Sequence, residues 1–173
     1  MLKIGLLSDT HSDLPDQVYT YFKDVDEIWH AGDIGDLKVT DQLKAFKPLR
    51  AVYGNIDDTK ARAEFDEHLI FTLEGIKVVI THIGGRPGNY SKPAIELIQK
   101  HQPQLFICGH SHIALVKNDP AKKLLWMNPG AAGNKGFHHI KTLLRFELNA
   151  GRIEHLELIE LGKRSSLNNS NEI

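Results

Sequence analysis
Six apolar runs, none longer than a β-strand and each halted by a small polar cluster, constrain this chain more than any other feature. Ile4–Leu7 stops at Ser8-Asp9-Thr10-His11, and Glu27–Trp29 stops at His30-Ala31-Gly32-Asp33. Leu49–Tyr53 meets Gly54-Asn55-Ile56-Asp57, and Lys77–Ile80 meets Thr81-His82. Leu105–Cys108 meets Gly109-His110-Ser111-His112, and Leu124–Met127 meets Asn128-Pro129-Gly130. Their β-branched and aromatic content, with turn residues at the ends, predicts strands. Helical spacing fills several gaps: Leu14–Phe22 with Asp13 as N-cap, and Leu37–Phe46 after Asp36, limited by Pro48. Ala94–His101 is a third helix, opened by Tyr90–Lys92 and stopped before Pro103. Strand–helix alternation through the first half predicts an α/β sheet with parallel pairs.

Two hairpins break that alternation. Leu69–Leu73 and Lys77–Ile80 flank Glu74-Gly75, and Thr142–Leu148 and Arg152–Leu161 flank a three-residue turn, Asn149-Ala150-Gly151. With no internal repeat and no linker, residues 1–162 are expected to form one domain, and 163–173 a mobile polar tail. A chain of 173 residues, 41% apolar and 25% charged, can bury a core without a structural metal. Its one cysteine, Cys108, excludes an internal disulfide and is expected to be inert packing. The opening apolar run is too short for a signal peptide and no window reaches the length of a membrane span, so the expected location is the cytoplasm. A net charge of −1, without a Lys/Arg stripe, argues against nucleic acid as the partner. An anionic ligand would therefore need a local counter-charge.

In open α/β sheets, ligands bind beyond the carboxyl ends of the strands. Here five strand ends present, in order, Asp-x-His, Gly-Asp, Gly-Asn, Thr-His and Gly-His-x-His, and four of the ten histidines lie there. His110 and His112, two apart on an extended chain, project the same way. The oxygen and imidazole donors of Asp9, His11, Asp33, Asn55, His82, His110 and His112 suit Mn, Fe, Zn or Ni rather than a thiolate site.

Asp9-x-His11, Gly32-Asp33, Gly54-Asn55-x-Asp57, His82 and Gly109-His110-x-His112 resemble the motif series of the calcineurin-like metallophosphoesterases, over residues 1 to about 160. The likeness is greatest to the small stand-alone bacterial and archaeal phosphodiesterases, in which Asn-Pro-Gly after the histidine pair, here Asn128–Gly130, is also typical. The resemblance implies a four-layer α/β/β/α sandwich of two mixed sheets. It implies two divalent ions per chain, Mn first among the candidates and Ni, Zn, Fe or Mg after it. Asp9, His11 and His112 would hold one ion, Asn55, His82 and His110 the other, and Asp33 would bridge them. Two divalent ions set against two aspartates and a bridging hydroxide leave about one positive charge, which attracts a phosphate ester without a basic patch. The implied activity is phosphodiester hydrolysis by in-line attack of that hydroxide.

Two departures from the series stand out. Many relatives carry a histidine after the asparagine, placed to protonate the leaving oxygen, where this chain has Ile56. Asp57 is expected to orient a ligand histidine instead. Relatives also place glycine directly after the histidine equivalent to His82, where Ile83 stands here, which shifts the tight approach to Gly84. His30 is expected to be structural or to support a donor residue, Arg86 to be a solvated loop residue with a substrate phosphate as its alternative contact, and His138 and His139 to be surface residues near the mouth. Besides phosphodiester hydrolysis, the alternatives are a phosphomonoesterase, a nucleotide pyrophosphatase, and a non-catalytic protein-interaction scaffold like the retromer small subunit. The expected ligand is a small phosphate ester, with self-association possible.

Overall fold
The computed structural model describes residues 1–165. The chain runs β1 (Leu2–Leu7), α1 (Gln17–Tyr21), β2 (Glu27–His30), α2 (Lys38–Phe46), β3 (Leu49–Ala51), α3 (Thr59–Glu64), β4 (His68–Leu73) and β5 (Ile76–Thr81). It continues with β6 (Gly85–Arg86), β7 (Asn89–Tyr90), α4 (Lys92–His101), β8 (Leu105–Ile107), β9 (Ala114–Asp119), β10 (Leu124–Pro129), β11 (Ile140–Asn149) and β12 (Arg152–Lys163). Among the described residues, the strands form two five-stranded sheets, ordered β12-β11-β1-β2-β3 and β4-β5-β8-β10-β9, and a small β6-β7 ribbon. Both large sheets are mixed. β1-β2-β3 and β5-β8-β10 run parallel, β11, β4 and β9 run antiparallel to them, and β12, antiparallel to β11, again has the direction of β1.

Side-chain alternation explains why the apolar runs are nearly continuous: strands buried on both faces need apolar residues at every position. Ile4, Leu6, Trp29, Leu144 and Phe146 of the first sheet meet Val78, Ile80, Leu105, Ile107 and Met127 of the second. The alternate residues face outward. Leu7, Ile28 and Leu143 pack with Val18, Phe22, Val39 and Leu43 under α1 and α2. Val79, Phe106 and Trp126 pack with Ala94 and Ile98 of α4. The result is the expected α/β/β/α sandwich. Each buried Leu, Ile or Phe contributes roughly 1.5–3 kcal/mol relative to exposure.

Several local expectations change. The first helix begins at Gln17, not Leu14, because Pro15 lies in the approach; Asp13 caps nothing and accepts from Asn134 instead. Ser91, followed by Lys92 and Pro93, starts α4 and takes the Ala94 amide on its hydroxyl. The β11–β12 turn has two residues, Ala150 and Gly151, since Asn149 pairs with Arg152. Both turn residues have positive φ, which matches the twist of the hairpin. Helix α3, capped by Asp58, and strand β9 were not anticipated. Lys163, assigned to the polar tail, ends β12, and the Arg164 amide donates to the His139 carbonyl. The rest of that expected tail, 166–173, lies outside the described residues. No helix among the described residues is long and apolar enough to cross a membrane.

Candidate metal centre
The loops leaving β1, β2, β3, β5 and β8 converge at one edge of the sandwich and bring all seven sequence-selected donors together. Asp9, His11 and His112 form one group and Asp33, His82 and His110 a second, the ligand atoms of each lying within 4.8 Å of one another. Asn55 joins the second group through its Oδ1, 3.0 Å from His110 Nδ1, which donates to it.

Each donor is oriented by a specific partner. Asp9 Oδ2 accepts from the Ser8 hydroxyl at 2.6 Å and the His110 amide at 3.1 Å, so Oδ1 is left facing the centre, buried and without a hydrogen-bond partner. Asp33 Oδ1 accepts from the Ile56 amide, and Oδ2 lies 3.2 Å from His82 Nε2 and 3.6 Å from His11 Nε2. His82 donates Nδ1–H to the Ala31 carbonyl at 2.8 Å, which turns the Nε2 lone pair inward. His112 is fixed through His138, whose Nε2–H donates to the Gly133 carbonyl at 2.9 Å. His138 Nδ1 is therefore an acceptor, and His112 Nδ1–H donates to it at 3.2 Å. The His112 Nε2 lone pair then faces Asp9 Oδ1 at 3.1 Å.

Carboxylate oxygens thus stand 3.1–3.2 Å from imidazole nitrogens, and Asp9 Oδ1 and His82 Nε2 are buried without an aligned hydrogen bond. Unpaired buried polar atoms are costly, and a cation between them removes the cost. The donor set and its orphaned atoms fit divalent metal ions. The electrostatics agree. Burial pushes the His82 imidazole down, but its contact with Asp33, the Asp9 and Asp33 charges and the Ala31 carbonyl hold it above the ordinary value. Burial would raise Asp33, yet His82 and the Ile56 amide keep its carboxyl below the usual range. At His11 burial wins over both aspartates and lowers the pKa. The two aspartates favour positive charge at the centre, and burial opposes it.

The backbone carries a second signature of the site. Asp9, His11, Asp33, His110 and His112 all adopt left-handed φ, from 46° to 70°. Such residues cost about 1–2 kcal/mol each and persist where surrounding contacts over-determine them. Here Asp9, His11 and Ser12 donate their amides to the Gly32, Asp33 and Ile34 carbonyls, extending the β1–β2 pairing into the irregular loops. Asp57 ties in the next loop. Its carboxylate accepts from the amides of Ile34, Gly35 and Gly54 at 2.7–3.1 Å. It touches no histidine, so the expected role of orienting one is replaced by that of stitching two loops. Gly54 is required by proximity, since a Cβ there would lie 2.1 Å from Asp33 Oδ1. Asn128 donates to the Gly109 carbonyl and the Ser111 hydroxyl, which anchors the His110–His112 loop.

Other singled-out residues fall into place. Gly84 is the close approach, its absent Cβ 2.8 Å from Cys108 and Phe106 carbons. Cys108 is inert: burial pushes its thiol up to about 12. His30 is structural and wholly buried, held down to about 4 by burial, accepting from the Gly32 amide and donating to Thr10 Oγ1. Arg86 sits on the exposed ribbon strand β6, and His139 is exposed. His138 is not the surface residue expected. Its role depends on contacts across 26 residues of sequence, and only its place after a glycine-rich segment hinted at proximity.

A two-sheet sandwich with paired oxygen and imidazole donor groups at one edge defines a metallophosphoesterase-type protein. Residues 2–151 match the family model for the calcineurin-like phosphoesterase superfamily domain, and the chain belongs to that family. It is 28% identical over 133 residues to a probable metallophosphoesterase of Methanothermobacter thermautotrophicus, covering 74% of this chain and 76% of that one. It is 27% identical over 148 residues to a phosphodiesterase of Methanocaldococcus jannaschii, covering 75% and 83% respectively. In fold it is similar to the zinc-complexed Vps29 of Entamoeba histolytica, with a TM-score of 0.69, 16% identity, and 92% and 99% of the chains covered.

Proposed function
We propose that this chain is a phosphodiesterase working with two divalent metal ions, Mn first among the candidates, on a small phosphate ester, and that it acts in the cytoplasm. One observation carries the reading: two donor groups share an edge through Asp33 Oδ2, which faces His82 of its own group and His11 of the other. Asp9, His11 and His112 would hold one ion and Asn55, His82 and His110 the second, with Asp33 between them. Ions bound there would activate a water for in-line attack on phosphorus and neutralise charge on the phosphoryl oxygens. The residues' own contribution is positional: Ser8, Ala31, Asn128 and His138 hold the donors so that lone pairs and carboxylate oxygens converge before a ligand arrives.

Ile56 lies at the cleft beside Asn55, half exposed, and offers no proton to a leaving oxygen. The expected outcome is good turnover of aryl diesters, poor turnover of unactivated monoesters, and a steep dependence on leaving-group pKa, because general-acid help worth about 10²–10⁴ is missing. Metal-stripped protein reloaded with Mn, Ni, Zn or Mg and assayed on esters graded by leaving-group pKa tests this. A better rate on monoesters or nucleoside pyrophosphates would favour those alternatives. The scaffold alternative draws on the likeness to Vps29, and because that protein is itself complexed with zinc, metal binding alone does not separate the two readings. Hydrolysis does: no metal-dependent turnover of any ester would favour the scaffold.

A further inference from the structure
In front of the candidate metal centre lies a cleft of about 760 Å³ lined by two chemistries. Its lining includes candidate donors His11, Asp33, Asn55, His110 and His112. It also includes Ile56, Ile113, Phe137, Ile140 and Leu158, between 39% and 99% exposed. Single exposed apolar residues need no explanation, but five lining one cleft, its apolar wall, do. The wall is assembled from separate parts of the chain: the loop after β3, the loop after β8, the segment entering β11, and β12. Ile56 follows Asn55, Ile113 follows His112, and Phe137 precedes His138, so apolar surface begins one residue from the polar centre at three points. Among the described residues lining the cleft there is no lysine or arginine, and Glu160 adds a negative charge.

A ligand matching this surface carries one phosphate charge for the metal centre and an uncharged apolar group for the wall. A phosphomonoester has only the organic group that leaves, and its phosphoryl group carries a second negative charge. A nucleoside polyphosphate or a nucleic-acid strand brings further negative charge that no lysine or arginine lining the cleft would meet. Building on the phosphodiesterase reading, we propose that the cleft binds a phosphodiester through an aryl or alkyl arm laid against Ile56, Ile113, Phe137, Ile140 and Leu158.

The experiment uses alkyl 4-nitrophenyl phosphates with methyl, ethyl, propyl and butyl arms, which hold the leaving group constant, on the full chain loaded with Mn. The expected kcat/KM rises about fourfold per buried methylene, more than tenfold from methyl to butyl. Leu158→Lys and Ile113→Ser should each lower the butyl-to-methyl ratio at least threefold, whereas Ile70→Ser, an exposed apolar residue on β4 outside the cleft, should keep the wild-type ratio. Calorimetric binding of dibutyl against dimethyl phosphate provides a readout without turnover, with at least tenfold tighter binding expected for dibutyl. A flat series and equal binding overturn the proposal while leaving the phosphodiesterase reading intact. Tight dibutyl binding without hydrolysis of any ester removes that reading and leaves the apolar arm standing. If the chain sediments as a dimer that Leu158→Lys splits, with no arm-length dependence, the wall is an interface between copies and the proposal fails.

Discussion
Within the candidate metal centre, Asp9, Asp33 and His82 are held by the fold in a different way from Asn55 and His110. The first three are at most 3% exposed and reach into the hydrogen-bonded loops that prolong β1, β2 and β5. The other two side chains are exposed and joined by one hydrogen bond, with the His110 ring also edge-on to His82. The floor of the centre is therefore part of the folded interior, and its rim is an attachment. A substitution in the floor should disturb metal, activity and fold together, whereas one at the rim should separate them.

The largest effect is expected for Asp33→Ala. Wild type reconstituted with Mn should carry about two ions per chain, following two-metal chemistry. Asp33→Ala should lose both, with hydrolysis reduced by about 10³-fold or more, equivalent to at least 4 kcal/mol of transition-state stabilisation. Asn55→Ala should keep one ion and lose less than 0.5 kcal/mol of folding stability, as is common for exposed sites, about 0.5 kcal/mol or below. Elemental analysis and urea unfolding of both variants check this. Equal metal loss in the two would erase the distinction between floor and rim.

The next effect concerns stability alone. Asp57 satisfies three amides of the loops carrying Asp33 and Asn55 and contacts none of the seven donors. Leaving buried donors unpaired costs about 1–3 kcal/mol each, so Asp57→Ala should destabilise the metal-free chain by about 4 kcal/mol. Asp57→Asn, which retains an acceptor oxygen, should lose about half as much. A change in urea midpoint no greater than that of Asn55→Ala would mean that water replaces the carboxylate and that the floor is less integrated than its hydrogen bonds indicate.

The same contrast explains what could be read in the sequence. Both sheets, and the convergence of the seven candidate donors at one edge, were legible because a strand end is a local feature: an apolar run that stops at Asp, Asn or His announces both the strand and the position of its tip. The long β11–β12 hairpin was legible from alternation, though its turn was read one residue too long, since Asn149 looks like a turn residue and yet pairs with Arg152. What escaped were residues defined by contacts distant in sequence. Asp57 reaches back 22 and 23 residues to amides that carry no side-chain signature. His138 meets His112 across 26 residues, and β9 is an edge strand half exposed to solvent, so its residues lack the continuous apolar run of the central strands.

A smaller effect follows from His30, beneath the floor. It is buried neutral and held down to about 4, whereas in the unfolded chain it titrates near 6.5. Between those values the unfolded chain holds a proton that the folded chain lacks, so stability falls as pH drops through the window and is complete above it. The loss by pH 4 amounts to about 3 kcal/mol. His30→Gln, itself less stable at neutral pH, should show a flatter stability profile between pH 6.5 and 4 when both proteins are compared metal-free, so that the donor residues titrate alike in each. Parallel profiles would show that His30 gains its proton without unfolding.

The smallest effect tests whether the rim is held only by its own contacts. His112 lies between floor and rim: its Nε2 faces Asp9, but its orientation comes from His138, and burial keeps His138 below the ordinary histidine range against the pull of the Gly133 carbonyl. A neutral His138 accepting at Nδ1 leaves His112 a single tautomer, with the proton on Nδ1 and the lone pair toward the centre. Removing such a partner typically costs 10–100-fold in metal affinity. His138→Phe should accordingly weaken the ion held by Asp9, His11 and His112 by about tenfold, leave the other ion bound, and change folding stability little. His138→Asn, whose amide oxygen can occupy the acceptor position, should recover part of the loss. The measurement is a competitive chelator titration resolving the two ions, with ¹⁵N shifts of His112 reporting its tautomer in the metal-free chain. If affinity and tautomer are unchanged in His138→Phe, Asp9 and the loop backbone alone orient His112, and it belongs with the floor.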